Sequence, residues 1–505
     1  MMGVFAKRWL LVFGCTVVSS LQNAYPQASG TRPMNIIFIL SDDHRYDAMG
    51  FTGRFKGLET PGLDRLAAEG AVMQNAFVTT SLCSPSRASI LTGQYAHTHT
   101  VVDNDSPLPA GLTFFSQYLQ QKNYQTAFIG KWHIGGSGTQ PQRGFDHWIS
   151  FEGQGVYYNP RFNINGREVT TTDSTYITDT LTGFALNWLK QRDAKRPFML
   201  YLSHKGVHAE FMPARRHRGR YAQMPVQCPP SMYLTATEQS KSWGISQAPA
   251  TAVNYAGIPQ WVRRQRFSWH GVDYMYHGYQ QFDGFYRNYL ETLLAIDESV
   301  ANVRQWVVDN GLAENTMIVY MGDNGFSFGE HGLIDKRHAY EESMRVPMLI
   351  WAPGLVRPGT QIGQMVQGID IAPTFLALAG LPTPTSMQGQ SMLPLLTQAA
   401  AVGRTHIFYE YYWELPFPQT PTMFAVRNQR YKYIYYFGVW DTNELYDLQT
   451  DPWEMNNLIA SKAHETIGRD LRQQLFTWLQ QTNGLQIPLK KPVPRRIDHL
   501  YEGAY

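Results

Sequence analysis

The chain is poor in cysteine and carries no long block of charge of one sign. Only two of its three cysteines, Cys83 and Cys228, lie beyond the N-terminal segment, so a scaffold built on several disulfides is excluded. The 43 basic and 40 acidic residues are interspersed and give a formal net charge of +3. Nothing in this pattern indicates a surface that coats nucleic acid or membrane, and we expect no nucleic-acid partner.

A long hydrophobic run is also missing, which argues against a transmembrane segment. Near the N-terminus, two basic residues precede a short apolar run over 9–13, and small and polar residues follow. This pattern predicts a signal peptide over residues 1–28 and export to the periplasm or the medium. A less favoured alternative is a lipoprotein attached at Cys15, because residues 12–15 loosely resemble a lipid-attachment box.

Short apolar runs typical of buried β-strands recur along the chain, and each is followed by polar residues. They cover residues 35–40, 124–129, 198–202 and 317–321. Helical stretches such as 61–69 and 179–190 alternate with them, which predicts a doubly wound α/β fold with a mostly parallel sheet. Ligands of such sheets bind beyond the carboxyl ends of the strands. The polar residues after the runs are therefore expected to form one pocket.

After residue 400 the continuous apolar runs give way to segments of alternating aromatic residues. We predict a catalytic domain over 33–400 and a small C-terminal α+β subdomain over 404–490. Alternating aromatic segments at 407–411, 423–426 and 431–436 and an amphipathic stretch at 464–481 predict a small antiparallel sheet with a covering helix. The span 208–285 has little periodicity and is expected to form long surface loops that shape a binding site.

One cysteine stands in an unusual setting, Thr80-Ser81-Leu82-Cys83-Ser84-Pro85-Ser86-Arg87. Pro85 suits the first turn of a helix that ends before Gly93, which puts Cys83 at the helix N-terminus with Arg87 on the same face. A nucleophile beside a guanidinium suits a tetrahedral oxyanion such as sulfate or phosphate. The alternative is a buried structural cysteine. A tyrosine-phosphatase loop needs five residues between Cys and Arg and has three here, so it is excluded.

The segment Cys83-Ser84-Pro85-Ser86-Arg87, with Leu91-Thr92-Gly93, resembles the signature of the type I sulfatases. The resemblance covers nearly the whole chain after the signal segment and implies an alkaline-phosphatase-like fold. It also implies that a formylglycine-generating enzyme oxidises Cys83 to formylglycine (3-oxoalanine). The hydrated aldehyde would attack sulfur, displace the alcohol and release sulfate on collapse, a route that a thiol cannot follow.

The same resemblance implies a calcium site. Asp42 and Asp43 after the first strand, and Asp323 and Asn324 after a late one, resemble the calcium ligands of the family, completed by an oxygen on residue 83. Oxygen ligands suit Ca²⁺ or Mg²⁺, and the lack of neighbouring Cys or His ligands disfavours zinc. The alternative is that these residues form turns or cap helices.

Further catalytic positions follow from the resemblance. Lys131 and His133 match a Gly-Lys-Trp-His segment, in which the lysine binds sulfate and the histidine orients or deprotonates the hydrate. His204 aligns with the histidine that contacts the ester and protonates the leaving oxygen, with His208 and Lys205 as neighbouring alternatives. Many members have Pro near this histidine, whereas this chain has Ser and Lys.

Lys336 matches a family lysine that binds a sulfate oxygen, and the alternative is a solvated basic turn. Arg337 and His338 are candidates for the substrate pocket. Aromatic residues of the C-terminal segment could touch a sugar or simply pack. These are Tyr411, Trp413 and Trp440.

The sequence therefore predicts an exported, calcium-dependent sulfuric ester hydrolase. Residues 96–100 and 202–217 resemble bacterial polysaccharide sulfatases, so the expected substrate is a sulfated carbohydrate such as ulvan or its oligosaccharides. One alternative is an arylsulfatase, or a phosphonate or phosphodiester monoester hydrolase of the same superfamily. Another is a non-catalytic binder of sulfated glycans in which Cys83 stays unmodified.

The first prediction concerns the mass of the peptide that carries residue 83. In protein from its own host, we expect mass spectrometry to find this peptide lighter than its cysteine form, because one oxygen replaces sulfur and two hydrogens. A free thiol, or a disulfide between Cys83 and Cys228, would remove the proposed nucleophile and favour the binding protein.

Overall fold

A ten-stranded sheet forms the centre of the described structure. The computed structural model describes residues 33–172, 174–233, 256–268, 270–275, 281–438 and 441–488. The predicted signal peptide, 1–28, lies outside these residues, as does Cys15. The ten strands are β1 (Asn35–Ser41), β2 (Ala71–Phe77), β3 (Gln125–Gly130), β4 (His147–Ser150), β5 (Arg161–Ile164), β6 (Arg167–Thr170), β7 (Phe198–Ser203), β8 (Thr316–Gly322), β9 (Met348–Trp351) and β10 (Thr360–Gln367).

The strand order is β10-β2-β9-β8-β1-β7-β3-β4-β5-β6. The four strands predicted from apolar runs are the neighbours β8, β1, β7 and β3, and all of them run parallel. Antiparallel pairs involve β9 and the last two strands at one end of the sheet, β5 and β6. The prediction of a mostly parallel sheet is confirmed.

Helices cover both faces of this sheet. Alternate residues of a strand point to opposite faces, and all seven residues of β1 are buried. Ile37 and Ile39 belong to one hydrophobic cluster, and Ile36, Phe38 and Leu40 belong to another. The helices are α1 (Pro61–Glu69), α2 (Cys83–Thr92), α3 (Ala96–His99), α4 (Phe115–Gln121), α5 (Ile177–Gln191), α6 (Gln260–Gln265), α7 (Phe282–Asp309), α8 (Glu341–Met344), α9 (Ile371–Leu378), α10 (Leu393–Thr397) and α11 (Glu465–Gln481).

A second sheet has four antiparallel strands near the C-terminus, which confirms the predicted small sheet with a covering helix. They are β11 (Ile407–Tyr411), β12 (Met423–Arg427), β13 (Tyr431–Tyr436) and β14 (Glu444–Asp447). On one face, Phe424 and Val426 cluster with Leu475 and Trp478 of α11. On the other, Ala425 clusters with residues of the 333–344 segment. The domain limits 33–400 and 404–490 stay predictions.

Ion pairs inside the protein connect the second sheet to helix α8. Both oxygens of the Glu341 carboxylate accept hydrogen bonds from Arg427, at 2.9 and 3.2 Å, and Lys432 lies 3.2 Å away. Lys432 also pairs with Glu454 at 2.6 Å. All four side chains are almost fully buried, so each charge depends on its partners for compensation.

The prediction of long loops over 208–285 is wrong in part. Helix α6 lies within this span, and the 28-residue helix α7 begins inside it. Residues 234–255, 269 and 276–280 of the span lie outside the described structure. None of the described helices is long and apolar enough to cross a membrane.

Candidate active site

The carboxyl ends of the parallel strands bring distant residues together. Asp42 follows β1, Lys131 follows β3 and Asp323 follows β8, and these strands lie within four adjacent positions of the sheet. A close approach between β3 and β7 shapes this edge, because a Cβ atom on Gly130 would lie 1.7 Å from the carbonyl oxygen of Ser203. The polar residues that the sequence predicts to converge therefore lie together at this edge.

Cys83 is the first residue of α2, as predicted, and the helix stops at Gly93 with a positive φ of 68°. Its thiol donates to Oδ1 of Asp42 at 3.4 Å, and Nζ of Lys336 lies 3.0 Å from the sulfur. Burial and the nearby Asp42 carboxylate raise the pKa of Cys83 to about 11. The group is thus a protonated thiol and a poor nucleophile as it stands. Neither Cys83 nor Cys228 forms a disulfide.

Arg87 lies one turn further along α2 and is fully enclosed. Its Nε and Nη2 atoms each lie 2.9 Å from Oδ2 of Asp323, and Nη1 donates at 2.7 Å to the Ser203 hydroxyl. Nη1 also donates to the carbonyl oxygen of Lys131 at 2.7 Å. The guanidinium is therefore held in one orientation beside residue 83.

Two lysines lie on either side of Cys83. Lys131 contacts Asp42 and donates to Oε1 of Gln154 at 2.5 Å, whereas Lys336 contacts both Asp43 and the sulfur of Cys83. Burial alone would lower the pKa of Lys336, but the Asp43 carboxylate together with Cys83, Asp42 and Asp323 raises the pKa well above its usual value. The ammonium group of Lys336 therefore stays charged.

Three carboxylates, those of Asp42, Asp43 and Asp323, have oxygens within 4.8 Å of one another and are buried. Burial raises the pKa of Asp43 to about 7, and the two neighbouring carboxylates add to the effect although Lys336 opposes it. Asn324 donates to Asp43 at 2.7 Å, while its own Oδ1 is buried and finds no hydrogen-bond partner among the residues that the structure describes. Clustered hard oxygens with one orphaned acceptor are the donor set that Ca²⁺ prefers.

His208, rather than His204, lies beside Cys83. Side-chain atoms of His208, Asp42 and Cys83 lie within 4.8 Å of one another, and Nε2 of His208 is 3.9 Å from Asp43. Burial, with the charges of Lys336 and Lys131, lowers the pKa of His208 well below its usual value.

The structure does not bring His204 to this site. Its Nε2 contacts the hydroxyl of Ser299 on α7 at 3.0 Å, and burial alone lowers its pKa to about 3. The reason lies in the alternation of β7, because Leu200 and Leu202 face the α7 side of the sheet and His204 continues that face. This alternation could have excluded His204 from the sequence, but it does not identify His208, which lies beyond the end of the strand.

The other candidates take different places. His133 accepts from the hydroxyl of Ser84 through its carbonyl oxygen, and its buried Nδ1 has no hydrogen-bond partner in the described part of the chain. Lys205 lies 4.6 Å from the ring centre of Tyr157. Burial, with the charge of Lys131, lowers the pKa of Lys205 to about 8.

The substrate-pocket candidates near the second sheet are mostly engaged with protein groups. Arg337 pairs with Asp335 and Glu414, each at 2.9 Å. His338 contacts Ser327, and Tyr411 is buried and donates to Glu414 at 2.8 Å. Trp413 is partly exposed, and Trp440 lies outside the described residues.

Comparison with known proteins identifies the class. A family model described as Sulfatase matches residues 34–381, and one described as N-sulphoglucosamine sulphohydrolase, C-terminal, matches 329–481. The first covers more than half of the chain, which therefore belongs to the sulfatase family and is a sulfuric ester hydrolase. The resemblance on which the sequence prediction rested is confirmed.

Among curated relatives, the chain is 33% identical over 509 residues to an N-acetylglucosamine-6-O-sulfatase of Bacteroides thetaiotaomicron, with 92% of this chain and 89% of the relative covered. It is 30% identical over 425 residues to the human N-acetylglucosamine-6-sulfatase, with 79% and 71% covered. An ulvan-active sulfatase of Formosa agariphila is 26% identical over 490 residues, with 92% and 85% covered.

Solved structures agree with the predicted fold class. A structure solved in complex with its substrate, D-glucosamine-2-N,6-O-disulfate, aligns with a TM-score of 0.77 and 30% identity, and the alignment covers 91% of this chain and 100% of that one. A phosphonate monoester hydrolase of Agrobacterium radiobacter aligns with a TM-score of 0.68 at 20% identity, covering 89% and 96%, and shows the shared fold alone. The alkaline-phosphatase-like fold is confirmed.

The position of His208 generates a prediction about two histidine variants. His208→Ala should lower kcat/KM for a sugar sulfate by about 100-fold or more if the histidine beside residue 83 assists the leaving oxygen. The loss should be smaller for an aryl sulfate, whose leaving group needs less assistance. His204→Ala serves as the matched control and should leave the ratio of the two substrates unchanged. A larger loss on the sugar sulfate than on the aryl sulfate for His204→Ala, with an unchanged ratio for His208→Ala, would identify His204 as the catalytic histidine.

Proposed function

We propose that the protein hydrolyses the 6-O-sulfate ester of a glucosamine or N-acetylglucosamine residue in a carbohydrate. The observation that carries the reaction is the position of residue 83, whose side-chain atom lies 3.0 Å from the ammonium group of Lys336 and 3.4 Å from Asp42 at a helix N-terminus. An anionic group bound here would meet positive charge from several directions.

Arg87, Lys131 and Lys336 supply that charge, and their contacts with protein groups hold all three in place. A sulfate group gains negative charge on its oxygens as the bond to the leaving oxygen breaks, and fixed cations in a buried site stabilise that charge most. Asp42 and Asp43 keep the two lysines oriented toward residue 83. We assign Lys131 and Lys336 to the sulfate oxygens and Arg87 to positioning residue 83.

The thiol of Cys83 is unsuited to the reaction, and the site fits its oxidised form. A formylglycine at this position supplies an oxygen nucleophile in place of a protonated sulfur. Asp42 lies within reach to accept a proton from residue 83, and the orphaned Nδ1 of His133 is a further acceptor in the same polar pocket. His208 is placed to donate a hydrogen bond to the oxygen of the departing sugar.

We further propose that Asp42, Asp43, Asp323 and Asn324 hold Ca²⁺. The support is the cluster of three buried carboxylates together with the unpartnered Oδ1 of Asn324, a set of four oxygen ligands. Histidine at the position of Asn324 would suit zinc, and the amide oxygen suits a harder ion. The ion would add positive charge next to the sulfate and relieve the repulsion among the carboxylates.

The substrate class rests on the relatives. Those that act on N-acetylglucosamine 6-sulfate are 33% and 30% identical to this chain, and the ulvan-active relative is 26% identical. A 6-sulfated hexosamine is thus the first candidate, and ulvan, which the sequence analysis favoured, is the second. Two relatives are named as extracellular sulfatases, which supports the proposed export. A formylglycine at position 83 would require a formylglycine-generating enzyme as a partner.

Sulfate release from matched substrates tests the proposal. We expect the highest kcat/KM on N-acetylglucosamine 6-sulfate or its oligosaccharides, compared with ulvan oligosaccharides, an aryl sulfate and a phosphonate monoester. Cys83→Ala should be inactive on all of them. Faster release from ulvan would favour the second candidate, activity on the aryl sulfate alone would exclude a carbohydrate substrate, and turnover of the phosphonate alone would overturn sulfate ester hydrolysis.

A metal-removal experiment tests the calcium site separately. Exhaustive chelation should abolish sulfate release and lower Tm, because three buried carboxylates are left to repel one another and a ligand of the native state is lost. Added Ca²⁺ should restore both quantities, and Asn324→Leu should require a higher Ca²⁺ concentration for the same recovery. Full activity and an unchanged Tm after chelation would contradict the assignment.

A further inference from the structure

A second cavity of about 240 Å³ lies close to the active site and plays no part in the chemistry above. One wall comes from the segment after α6, and the other comes from the loop between β11 and β12. The cavity connects to the catalytic residues through His270, whose Nδ1 lies 3.0 Å from the carboxylate of Asp335, the residue before Lys336. No residue in its lining contacts Cys83.

We propose that this cavity binds an uncharged sugar ring adjacent to the sulfated residue of an oligosaccharide. The inference rests on the proposed function, because it extends the carbohydrate that the active site would hold. It assigns the protein a preference for a chain over a single sulfated sugar. Three properties of the cavity support it: aromatic faces, a buried acceptor and the absence of charged side chains among the described residues that line it.

The aromatic residues present flat apolar surface to solvent. Phe267 is 49% exposed and Tyr274 is 52% exposed, and both line the cavity. Phe417 stacks on His270 with ring centres 5.0 Å apart and an angle of 20° between the planes. The guanidinium of Arg337 lies 3.5 Å from the centre of the Phe417 ring, and this cation–π contact also restrains the ring. Rigid aromatic faces of this kind suit the C–H face of a pyranose ring.

A buried acceptor lies at the same place. Gln265 ends helix α6, is 3% exposed and lines the cavity, yet its Oε1 atom has no hydrogen-bond partner in the described part of the chain. A buried carbonyl oxygen without a donor is costly, and such groups in native proteins call for an explanation. A sugar hydroxyl in the cavity would donate the missing hydrogen bond.

The lining indicates an uncharged ligand of limited size. Among the described residues that line the cavity there is no Asp, Glu, Lys or Arg. The nearby Arg337 is already paired with Asp335 and Glu414, so a second sulfate or a uronate would meet a compensated charge. The volume falls below the roughly 300–1,000 Å³ of pockets for drug-sized ligands, which leaves room for about one ring.

Turnover of three substrates tests the inference. They are the 6-sulfated monosaccharide and two disaccharides that carry a neutral sugar on either side of it. The double variant Phe267→Ala, Tyr274→Ala should lower kcat/KM for at least one disaccharide about tenfold and leave the monosaccharide within about twofold. Gln265→Met, which keeps the side-chain volume, should lower kcat/KM for the affected disaccharide about fivefold. Phe51→Ala, an exposed ring away from the cavity, is the control and should change nothing.

Equal losses on all three substrates, or no loss on any, would overturn the inference. A second measurement distinguishes failure of this inference from failure of the proposed function. Saturation-transfer NMR monitors whether the sulfate-free disaccharides bind to the wild-type protein. If the wild type releases no sulfate from any substrate, the proposed function fails. Binding that the double variant abolishes would still support the cavity, whereas no binding of either disaccharide to the wild type would overturn it.

Discussion

The balance of buried charge at the end of the central sheet is the constraint on which the rest of the structure depends. Three carboxylates and three basic side chains are enclosed there, where an unpaired charge would be costly. Arg87 compensates Asp323, and the two lysines compensate Asp42 and Asp43. Each contact fixes the orientation of a cation to which we assign a role in the reaction, and it also stabilises the fold. Catalytic geometry and stability therefore rest on the same set of ion pairs.

The second sheet supports this balance from outside. Its inner face packs on the segment that carries Lys336, and Arg427 and Lys432 reach Glu341 on the short helix just beyond. A four-residue helix has too few hydrogen bonds of its own to be stable in isolation. The C-terminal sheet thus supplies the packing and counter-charges that hold Lys336, the lysine proposed to bind sulfate, on an otherwise weak segment, and it also contributes the Phe417 loop to the neighbouring cavity.

Much of this arrangement could be predicted from the sequence because each buried parallel strand reads as an apolar run followed by its functional residue, as with Asp42, Lys131 and Asp323. Prediction failed where the chain leaves a strand without a regular pattern. After β7 the backbone takes four more residues to reach the site, so His208 arrives there instead of His204. The start of helix α7 was missed because its first four residues include Asp283 and Gly284 and only Phe285 among them is buried, so they show no apolar periodicity.

The complete burial of α2 has a consequence for how the protein is made. All ten residues of this helix are inaccessible, including Cys83, Pro85 and Arg87, and no other protein could bind an extended form of this segment once the sheet has closed over it. An enzyme that converts residue 83 must therefore act while the chain is still nascent or unfolded. Conversion of residue 83 is therefore possible only before folding is complete, and a molecule that folds before it is converted retains the Cys83 thiol. The specific activity of a preparation would then depend on the rate of Cys83 conversion relative to the rate of folding in the host.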